Sequence, residues 1–338
     1  MDNLTHSLTG ALAAKVLEVT RPNDSDDLRD RRSAFWLLVV SANLPDLDVV
    51  LGMFSDPIFA MQHHRGLTHS ILFAPVFALL PASIFYFWRK LQPFKTAWLL
   101  ALLGTLVHIF FDLITAYGTQ IFSPFSPARH ALDWMFIIDP FFTGILVLTL
   151  LLGKLFAKLR KAAILAGSAL AVLYLGAEMV NHNLAKQRMA AALQQQNIAA
   201  TNISALPQPL NIFRWMGIAR TPNGVAQAYF SNLQTDELSV MVYENAEDEF
   251  ARRARQTPAS RWYLQFARYP WIHTEEREGR NVVEIRDLQF MIDKGITQAL
   301  GFPERSLPFI LRYSFSPNGN PLETEFNNES LPQQSFSK

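Results

Sequence analysis

The chain has 338 residues, of which 50% are hydrophobic and only 17% are charged, and its mean hydropathy is +0.10. Soluble domains carry about 25% charged residues, so this composition excludes a single soluble globule and a disordered chain. The net charge of +1 gives no sign of a nucleic-acid partner. The sequence contains no cysteine, which excludes disulfides, thiolate zinc sites and thiol catalysis.

Six apolar runs in residues 1–181 predict helices that enter a membrane, because a spanning helix needs about 20 apolar residues. In chain order they are Leu4–Val19, Ala34–Phe54, Ile71–Trp88, Ala97–Leu113, Phe136–Gly153 and Ala162–Val180. The first is short and is interpreted as a retained helix, since Asp2 precedes it where a signal peptide is basic; whether it crosses the membrane stays open. A soluble helical bundle is the alternative, but Ile71–Trp88 has almost no polar side chain on any face.

Basic residues predict the orientation of these runs, because Lys and Arg concentrate in cytoplasmic loops. Eleven of the 14 basic residues in 1–181 fall in three clusters. The clusters are Arg21, Arg29, Arg31 and Arg32; then Arg89, Lys90 and Lys95; then Lys154, Lys158, Arg160 and Lys161. If all three face the cytoplasm, the six runs alternate and place residues 55–70, 114–135 and everything after Val180 outside.

The second half has the composition of a soluble domain, with 16 basic and 16 acidic residues in 182–338. Residues 182–206 predict a helical stalk or linker. Residues 207–338 predict an extracytoplasmic α+β or β-rich domain with a hairpin of Asn211–Arg220 and Val225–Ser231, ending in a loose tail after Pro317. The predicted fold is mainly α: a polytopic helical membrane bundle of about five to six helices in 1–181, followed by this extramembrane domain.

Ionisable side chains inside the apolar runs are the candidate functional residues, since such groups are costly in a membrane. They occur in four motifs: T-H-S around His6, N-L-P-D-L-D from Asn43, H-R-G-L-T-H-S from His64 and H-I-F-F-D from His108. His108 and Asp112 are four residues apart, so they share a helix face and suit two ligands of one metal. The candidate metal ligands are His6, Asp46, Asp48, His64, His69, His108 and Asp112.

Each motif also has a purely structural interpretation. The alternatives are a core histidine at His6, helix caps at Asp46 and Asp48, and a buried structural pair at His108 and Asp112. Taken together, however, so many imidazoles and carboxylates would be uncompensated in an apolar setting. A set of His and Asp without thiolates suits zinc, with manganese or iron as alternatives. Seven candidates exceed the four ligands of one tetrahedral site, which predicts two or more metals. Three further residues are left open as ligands: His63, Asp133 and Asp139. For Asp139, which precedes Pro140 at a predicted helix start, capping of that helix is the alternative.

The four motifs in this order, followed by Y-G-T from Tyr117 and P-F-S from Pro124, resemble the bacterial YdjM-like family over about residues 1–180. Members of that family are described as inner-membrane-associated, metal-dependent hydrolases. The resemblance therefore implies an inner-membrane location and metal-assisted hydrolysis. More distantly, the family is similar to zinc-dependent phospholipase C and P1-type nucleases, which also use H-x-x-x-D helices around a zinc cluster, and this similarity implies phosphoester hydrolysis.

The predicted activity is hydrolysis of a phosphoester or lipid-headgroup bond at the outer face of the inner membrane. Asp48 or Asp46 would act as the base where it is not a ligand, and Arg65 would hold the anionic group. The predicted partners are the lipid bilayer and a lipid or phosphoester substrate.

One alternative is a non-enzymatic membrane protein with a structural metal and a partner-binding C-terminal domain. A transporter is disfavoured, because the polar groups cluster toward one side of the membrane.

Overall fold

A computed structural model describes residues 1–20, 28–52, 54, 57–89, 91, 93–299, 301 and 308–331. The chain divides into two compact units. The first comprises Met1–Ser55 and His63–Val180, and the second comprises Asp56–Gln62 and Asn181–Lys338.

The N-terminal half is helical, and the predicted apolar runs lie mainly in its helices. The helices are α1 (Asn3–Thr20), α2 (Leu28–Ser41), α3 (Asp48–Gly52), α4 (Pro57–His63), α5 (Ala74–Phe77), α6 (Leu79–Arg89), α7 (Phe94–Leu113), α8 (Pro140–Leu155) and α9 (Arg160–Gln195). Short 3₁₀ turns at Leu44–Leu47 and Leu67–His69 interrupt them. Pro45 opens the first of these turns, where a residue without an N–H group cannot continue α2.

Two helical segments are long and apolar enough to cross a membrane, namely α7 and Ala157–Gln195, which contains α9. Two bent pairs raise the total to four if each is one span: Asp30–Ser41 with Leu44–Val50, bent by 50°, and Phe59–His69 with Ala74–Arg89, bent by 84°. Helix α8 has 16 residues, so it is about 24 Å long, shorter than the ~30 Å hydrocarbon core. The described residues therefore contain two to four candidate spans, and the predicted five to six are not confirmed.

Three helices of the first unit cross closely through two glycines. Gly10 on α1 and Gly104 on α7 both face the end of α2, where a Cβ at either position would lie 2.9 Å from the carbonyl oxygen of Leu38. Small residues let helix backbones approach in this way inside a membrane. His6 lies one turn before Gly10 and His108 one turn after Gly104. The tight crossing therefore brings both histidines to the end of α2.

The second unit contains two antiparallel sheets. The first has the order β1 (Thr201–Gln208), β2 (Asn211–Thr221), β3 (Gly224–Ser231), β4 (Met241–Glu244). The second has the order β5 (Pro270–Arg277), β6 (Arg280–Asp287), β7 (Ile310–Phe315), β8 (Pro321–Phe326), β9 (Glu329–Ser330). Helices α10 (Glu249–Gln256), α11 (Pro258–Phe266) and α12 (Lys294–Ala299) also belong to this unit, together with most of α4 and the end of α9. The predicted hairpin is confirmed, since Arg220 pairs with Val225 across its turn.

Two segments of this half differ from the sequence prediction. The prediction of a loose tail after Pro317 is wrong for the residues of β8 and β9. Thr324 and Phe326 of β8 point into the unit and are only 2% and 3% exposed. Residues 332–338 lie outside the described part of the chain. The predicted stalk of residues 182–206 is helical as far as Gln195, where α9 ends, and its last residues belong to β1. It is not a separate stalk, because Met189 on that helix is fully buried in the core with Trp215.

Candidate metal centre

Four ionisable residues of the first unit meet where helices break or end. Asp46 lies in the first 3₁₀ turn, His69 ends the second, and His108 and Asp112 lie in the last turns of α7. The side chains of the two histidines and of Asp112 are fully buried, while that of Asp46 is 12% exposed. One potential ligand atom from each residue lies within 4.8 Å of the others.

Five of the six separations among these four atoms are close to those of a tetrahedral metal site. The Nε2 atom of His69 lies 3.0 Å from Oδ2 of Asp112 and 3.4 Å from Oδ1 of Asp46. The Nε2 atom of His108 lies 3.5 Å from each of these two oxygens and 3.0 Å from Nε2 of His69. With metal–ligand bonds of ~2.0–2.1 Å, neighbouring ligand atoms lie about 3.3–3.4 Å apart. The residues present therefore fit one divalent metal ion.

The outer nitrogens of the two histidines fix which atoms face the centre. Nδ1 of His108 lies 2.7 Å from the backbone oxygen of Ala42, which can only accept, so Nδ1 carries a proton. Nδ1 of His69 lies 2.9 Å from Oγ1 of Thr68, whose own proton goes to Asp48, so this Nδ1 also donates. In the neutral rings both Nε2 atoms then present lone pairs. Such outer hydrogen bonds are the usual device that orients metal-binding histidines.

The two oxygens of Asp112 have different environments. Oδ1 lies 3.0 Å from the guanidinium of Arg65 and 3.2 Å from Nε2 of His6, and it also contacts the α-amino group of Met1. Oδ2 makes no hydrogen bond to any residue that the structure describes, and it faces His69 and His108. A buried carboxylate oxygen without a partner is costly. A cation among the four ligand atoms would remove that cost.

A second group of potential ligand atoms shares Asp46 with the first and adds Asp48 and His64. Nδ1 of His64 lies 2.9 Å from Oδ1 of Asp48. Oδ2 of Asp48 accepts hydrogen bonds from the backbone N–H of Arg65 (3.0 Å) and from Oγ1 of Thr68 (2.9 Å). The side chains of Asp48 and His64 are 8% and 24% exposed, so this group is more accessible than the first.

Six of the seven predicted ligands lie in these two groups, and the seventh lies beside them. His6 stacks on His108, with ring centroids 3.8 Å apart, and holds Oδ1 of Asp112. Its ring therefore supports a potential ligand, and its own ligand role stays a prediction. Arg65 is 2% exposed and directs its guanidinium at Asp112 and at Oγ1 of Thr115, 3.0 Å away. Its predicted contact with an anionic substrate likewise stays a prediction.

The three residues left open as ligands lie outside both groups. Asp139 caps α8 by accepting the backbone N–H of Phe142 (2.8 Å), and its other oxygen accepts the hydroxyl of Tyr174 (2.8 Å). Asp133 is 3% exposed in the segment between α7 and α8, and His63 ends α4. The structure thus gives Asp139 the helix-capping function that the Asp-Pro pair at a helix start predicts.

Two residues near the centre carried no sequence signal of their own. Thr68 contacts both Asp48 and His69, and only its position between two candidate ligands pointed to it. Arg129 donates to the backbone oxygen of His64 (3.1 Å), and its guanidinium lies over the ring of Tyr117. Burial outweighs the nearby cations and raises the pKa of Tyr117, so the phenol is neutral at physiological pH.

Comparison with known proteins identifies the family. A family model described as YdjM inner membrane protein matches residues 1–185, which contain both groups of ligand atoms. The chain belongs to the YdjM inner membrane protein family. This match confirms the resemblance drawn from the motifs. Membership of the YdjM family places the chain in the inner membrane, in agreement with its apolar helices.

Two relatives of this YdjM-family chain are recognisable by sequence. It is 30% identical over 141 residues to the uncharacterized protein YfhP of Bacillus subtilis (strain 168), over 42% of each chain. It is 32% identical over 106 residues to the inner membrane protein YbcI of Escherichia coli (strain K12), over 30% of this chain and 61% of YbcI. The chain thus spans less than two thirds of the length of either relative. No solved structure matches significantly, and the comparisons do not support the distant similarity to phospholipase C or P1-type nucleases.

Proposed function

We propose that this YdjM-family protein is a membrane-embedded, metal-dependent hydrolase that acts on a phosphoester or lipid-headgroup bond. The observation that carries the proposal is that Asp46 belongs to two adjacent groups of potential ligands, one buried and one accessible. Two-metal hydrolytic sites hold their ions about 3.5–4 Å apart, a separation that a shared carboxylate suits.

The two groups suit different tasks. The buried group offers four ligand atoms, the number that closes a structural zinc site. The accessible group offers three, and catalytic zinc sites combine three protein ligands with one open position. We therefore assign the reaction to the group of Asp46, Asp48 and His64. Zinc is the proposed metal, and manganese or iron also fits histidine and carboxylate ligands.

Side chains around the two groups would position the metal ligands for hydrolysis. A divalent metal, when bound, supplies a water nucleophile at neutral pH because it lowers the pKa of water to about 7. Both oxygens of Asp48 already accept hydrogen bonds, so Asp48 is proposed as a ligand rather than as the base. Asp46 is a ligand shared by both groups in this proposal, so neither carboxylate is assigned the role of base. Arg65 neutralises Asp112, and Thr68 orients Asp48 and His69.

Phospholipid headgroups are the proposed substrate class, since they are the phosphoesters present at a membrane surface. The first two basic clusters mark the cytoplasmic side in this proposal, which places the ligand motifs on the opposite side. The third cluster lies on the cytoplasmic side as well only if α8 crosses the membrane in addition to the candidate spans, and that crossing would also place the C-terminal domain on the side of the ligand motifs. The two helix bends lie beside these motifs: Asp46 follows the 50° bend, and His69 precedes the 84° bend.

The test is a hydrolysis assay on the purified full chain. The protein is reconstituted in vesicles of phosphatidylethanolamine and phosphatidylglycerol, loaded with zinc, and assayed for released headgroup and for cleavage of a soluble phosphodiester. We expect turnover that a chelator abolishes, that Asp46→Asn removes, and that His273→Ala, a histidine of the second unit, retains. Absence of turnover on both substrates by zinc-loaded protein would contradict the proposal.

The second candidate is a non-enzymatic protein with a structural metal. The observation that favours it is the complete burial of His69, His108 and Asp112, which leaves three of the four ligands of this group without solvent access. In the same experiment this candidate gives stable zinc retention, a lower unfolding temperature in Asp46→Asn, and no turnover.

A further inference from the structure

The segment that follows the metal-binding end of α7 carries an exposed apolar tip. Residues 118–128 contain no charged side chain. Phe125 is 83% exposed and Phe122 is 43% exposed. Isolated apolar side chains on a surface are ordinary, but two large exposed aromatic rings in one uncharged loop make this loop a candidate interaction surface.

This loop is fixed to the backbone of the candidate metal centre. The backbone N–H of Gln120 donates to the carbonyl oxygen of Arg65 (2.9 Å), and that of Ile71 donates to the carbonyl oxygen of Ile121 (3.0 Å). The hydroxyl of Ser70 donates to the carbonyl oxygen of Ser123 (2.6 Å). These three bonds join the loop to residues 65–71, which contain the candidate ligand His69.

The exposed apolar surface continues from this loop to a candidate membrane segment. Ile71 and Leu72 are 42% and 52% exposed, and only Phe73 separates them from the arm Ala74–Arg89 of the second bent pair. Ile71 is also the residue that hydrogen-bonds to the loop. Lipid contact along this arm would therefore extend onto the tip that carries Phe122 and Phe125.

We propose that the loop Ile121–Pro127 inserts Phe122 and Phe125 into the bilayer beside the candidate metal centre. The partner is the acyl-chain and interface region of the lipid. Aromatic side chains concentrate at membrane–water interfaces, and apolar faces free of charge bury at the headgroup–acyl boundary. This insertion does not depend on hydrolysis. An inserted loop would, however, hold lipid headgroups close to the residues of the proposed reaction centre.

Spin labelling of the full chain tests the insertion, and the absence of native cysteine makes every introduced cysteine unique. Labels are placed by Phe125→Cys and, separately, by Phe122→Cys. Leu173→Cys, at a 70% exposed position within the candidate span of α9, serves as the membrane reference. Glu249→Cys, on an exposed end of α10 in the second unit, serves as the aqueous reference. Each variant is reconstituted in phosphatidylethanolamine–phosphatidylglycerol vesicles, and collision with oxygen is compared with collision with a water-soluble nickel chelate.

We expect the oxygen-to-nickel ratio at positions 122 and 125 to approach that at Leu173 and to exceed that at Glu249 several-fold. A ratio equal to that at Glu249 would overturn the proposal, since the loop would then face water. Low collision with both reagents would also overturn it, because the tip would then be covered by protein. Zinc retention in the labelled variants shows that the centre is intact, so this result is separable from any failure of the hydrolysis assay.

Discussion

The Nε2 atoms of His69 and His108 lie 3.0 Å apart in the buried group, although the two residues are 39 positions apart in sequence. Each ring uses its Nδ1 atom outward, toward Thr68 and Ala42 respectively. Two facing lone pairs repel each other unless a cation or a proton lies between them. Because carboxylates of Asp46 and Asp112 adjoin the same point, a divalent metal satisfies all four atoms at once.

Removing His108 tests the buried group. We expect His108→Ala to lose the metal of this group, because the substitution removes one of its four ligands. It also removes the facing nitrogen lone pair that a cation would stabilise beside His69. Elemental mass spectrometry of the purified full chain measures the metal content, and His273→Ala is the matched histidine control. Equal metal content in the two variants would place the metal elsewhere.

Removing His64 tests the accessible group separately. We expect His64→Ala to keep the metal of the buried group and to lose the other, since His64 belongs to the second group alone. Asp46→Asn should reduce occupancy of both, because Asp46 is shared. The stoichiometry at saturating zinc distinguishes the variants, and a His64→Ala chain that retains as much zinc as the unmodified protein contradicts the assignment.

Gly104 tests the helix crossing that positions His108. A Cβ there would lie 2.7 Å from Cβ of Ser41, so we expect Gly104→Ala to destabilise the first unit by about 1–3 kcal/mol through overpacking. Gly144 on α8 is the matched control, because a Cβ at that position meets nothing within 4 Å. Thermal unfolding in detergent measures both. An unfolding temperature of Gly104→Ala equal to that of Gly144→Ala would show that the close approach is unimportant.

Glu284 provides a pH-dependent prediction in the second unit. Its side chain is 1% exposed and lies 2.9 Å from Nε of Arg312, with Arg286 and Arg277 also in contact. Burial alone would raise the pKa of Glu284, but Arg286 and Arg312 outweigh it and hold this pKa below its usual range. The ion pairs therefore contribute stability above the ordinary pKa of glutamate, and the contribution disappears as the pH falls through the lowered value.

The corresponding substitution is Glu284→Gln. We expect it to lower the free energy of unfolding of this unit by about 1–3 kcal/mol at neutral pH and to flatten the loss of stability in acid. Glu325→Gln is the control, since Glu325 is 26% exposed and, within the described part of the chain, forms an ion pair with Arg312 only; ion pairs open to solvent contribute about 0–1 kcal/mol. Denaturant unfolding at several pH values measures both, and parallel pH profiles of Glu284→Gln and the unmodified chain would be incompatible with this explanation.

Local pattern was sufficient to predict part of the centre. The spacing of His108 and Asp112 predicts a shared helix face, and Pro45 predicts the break that frees Asp46 and Asp48. Long-range contacts were not predictable in this way. The pairing of Arg65 with Asp112 joins residues 47 positions apart, and it depends on how a 3₁₀ turn docks against the end of α7.

The helix count and the C-terminal tail show the same limit. Apolar length alone cannot separate a straight span from a pair bent by 84°, because the bend depends on which backbone groups find partners outside the helix. Strand β8 contains Pro321 and several polar residues, so its composition resembles a loop. Its pairing with β7, in which Thr324 lies opposite Tyr313, determines its structure.

Zinc stoichiometry of the unmodified full chain tests the central claim most directly. The purified protein is stripped with a chelator, titrated with zinc, freed of excess metal and analysed by elemental mass spectrometry. The two groups that share Asp46 predict retention of two equivalents per chain. Retention of less than one equivalent would contradict the existence of a metal centre at His69, His108 and Asp112.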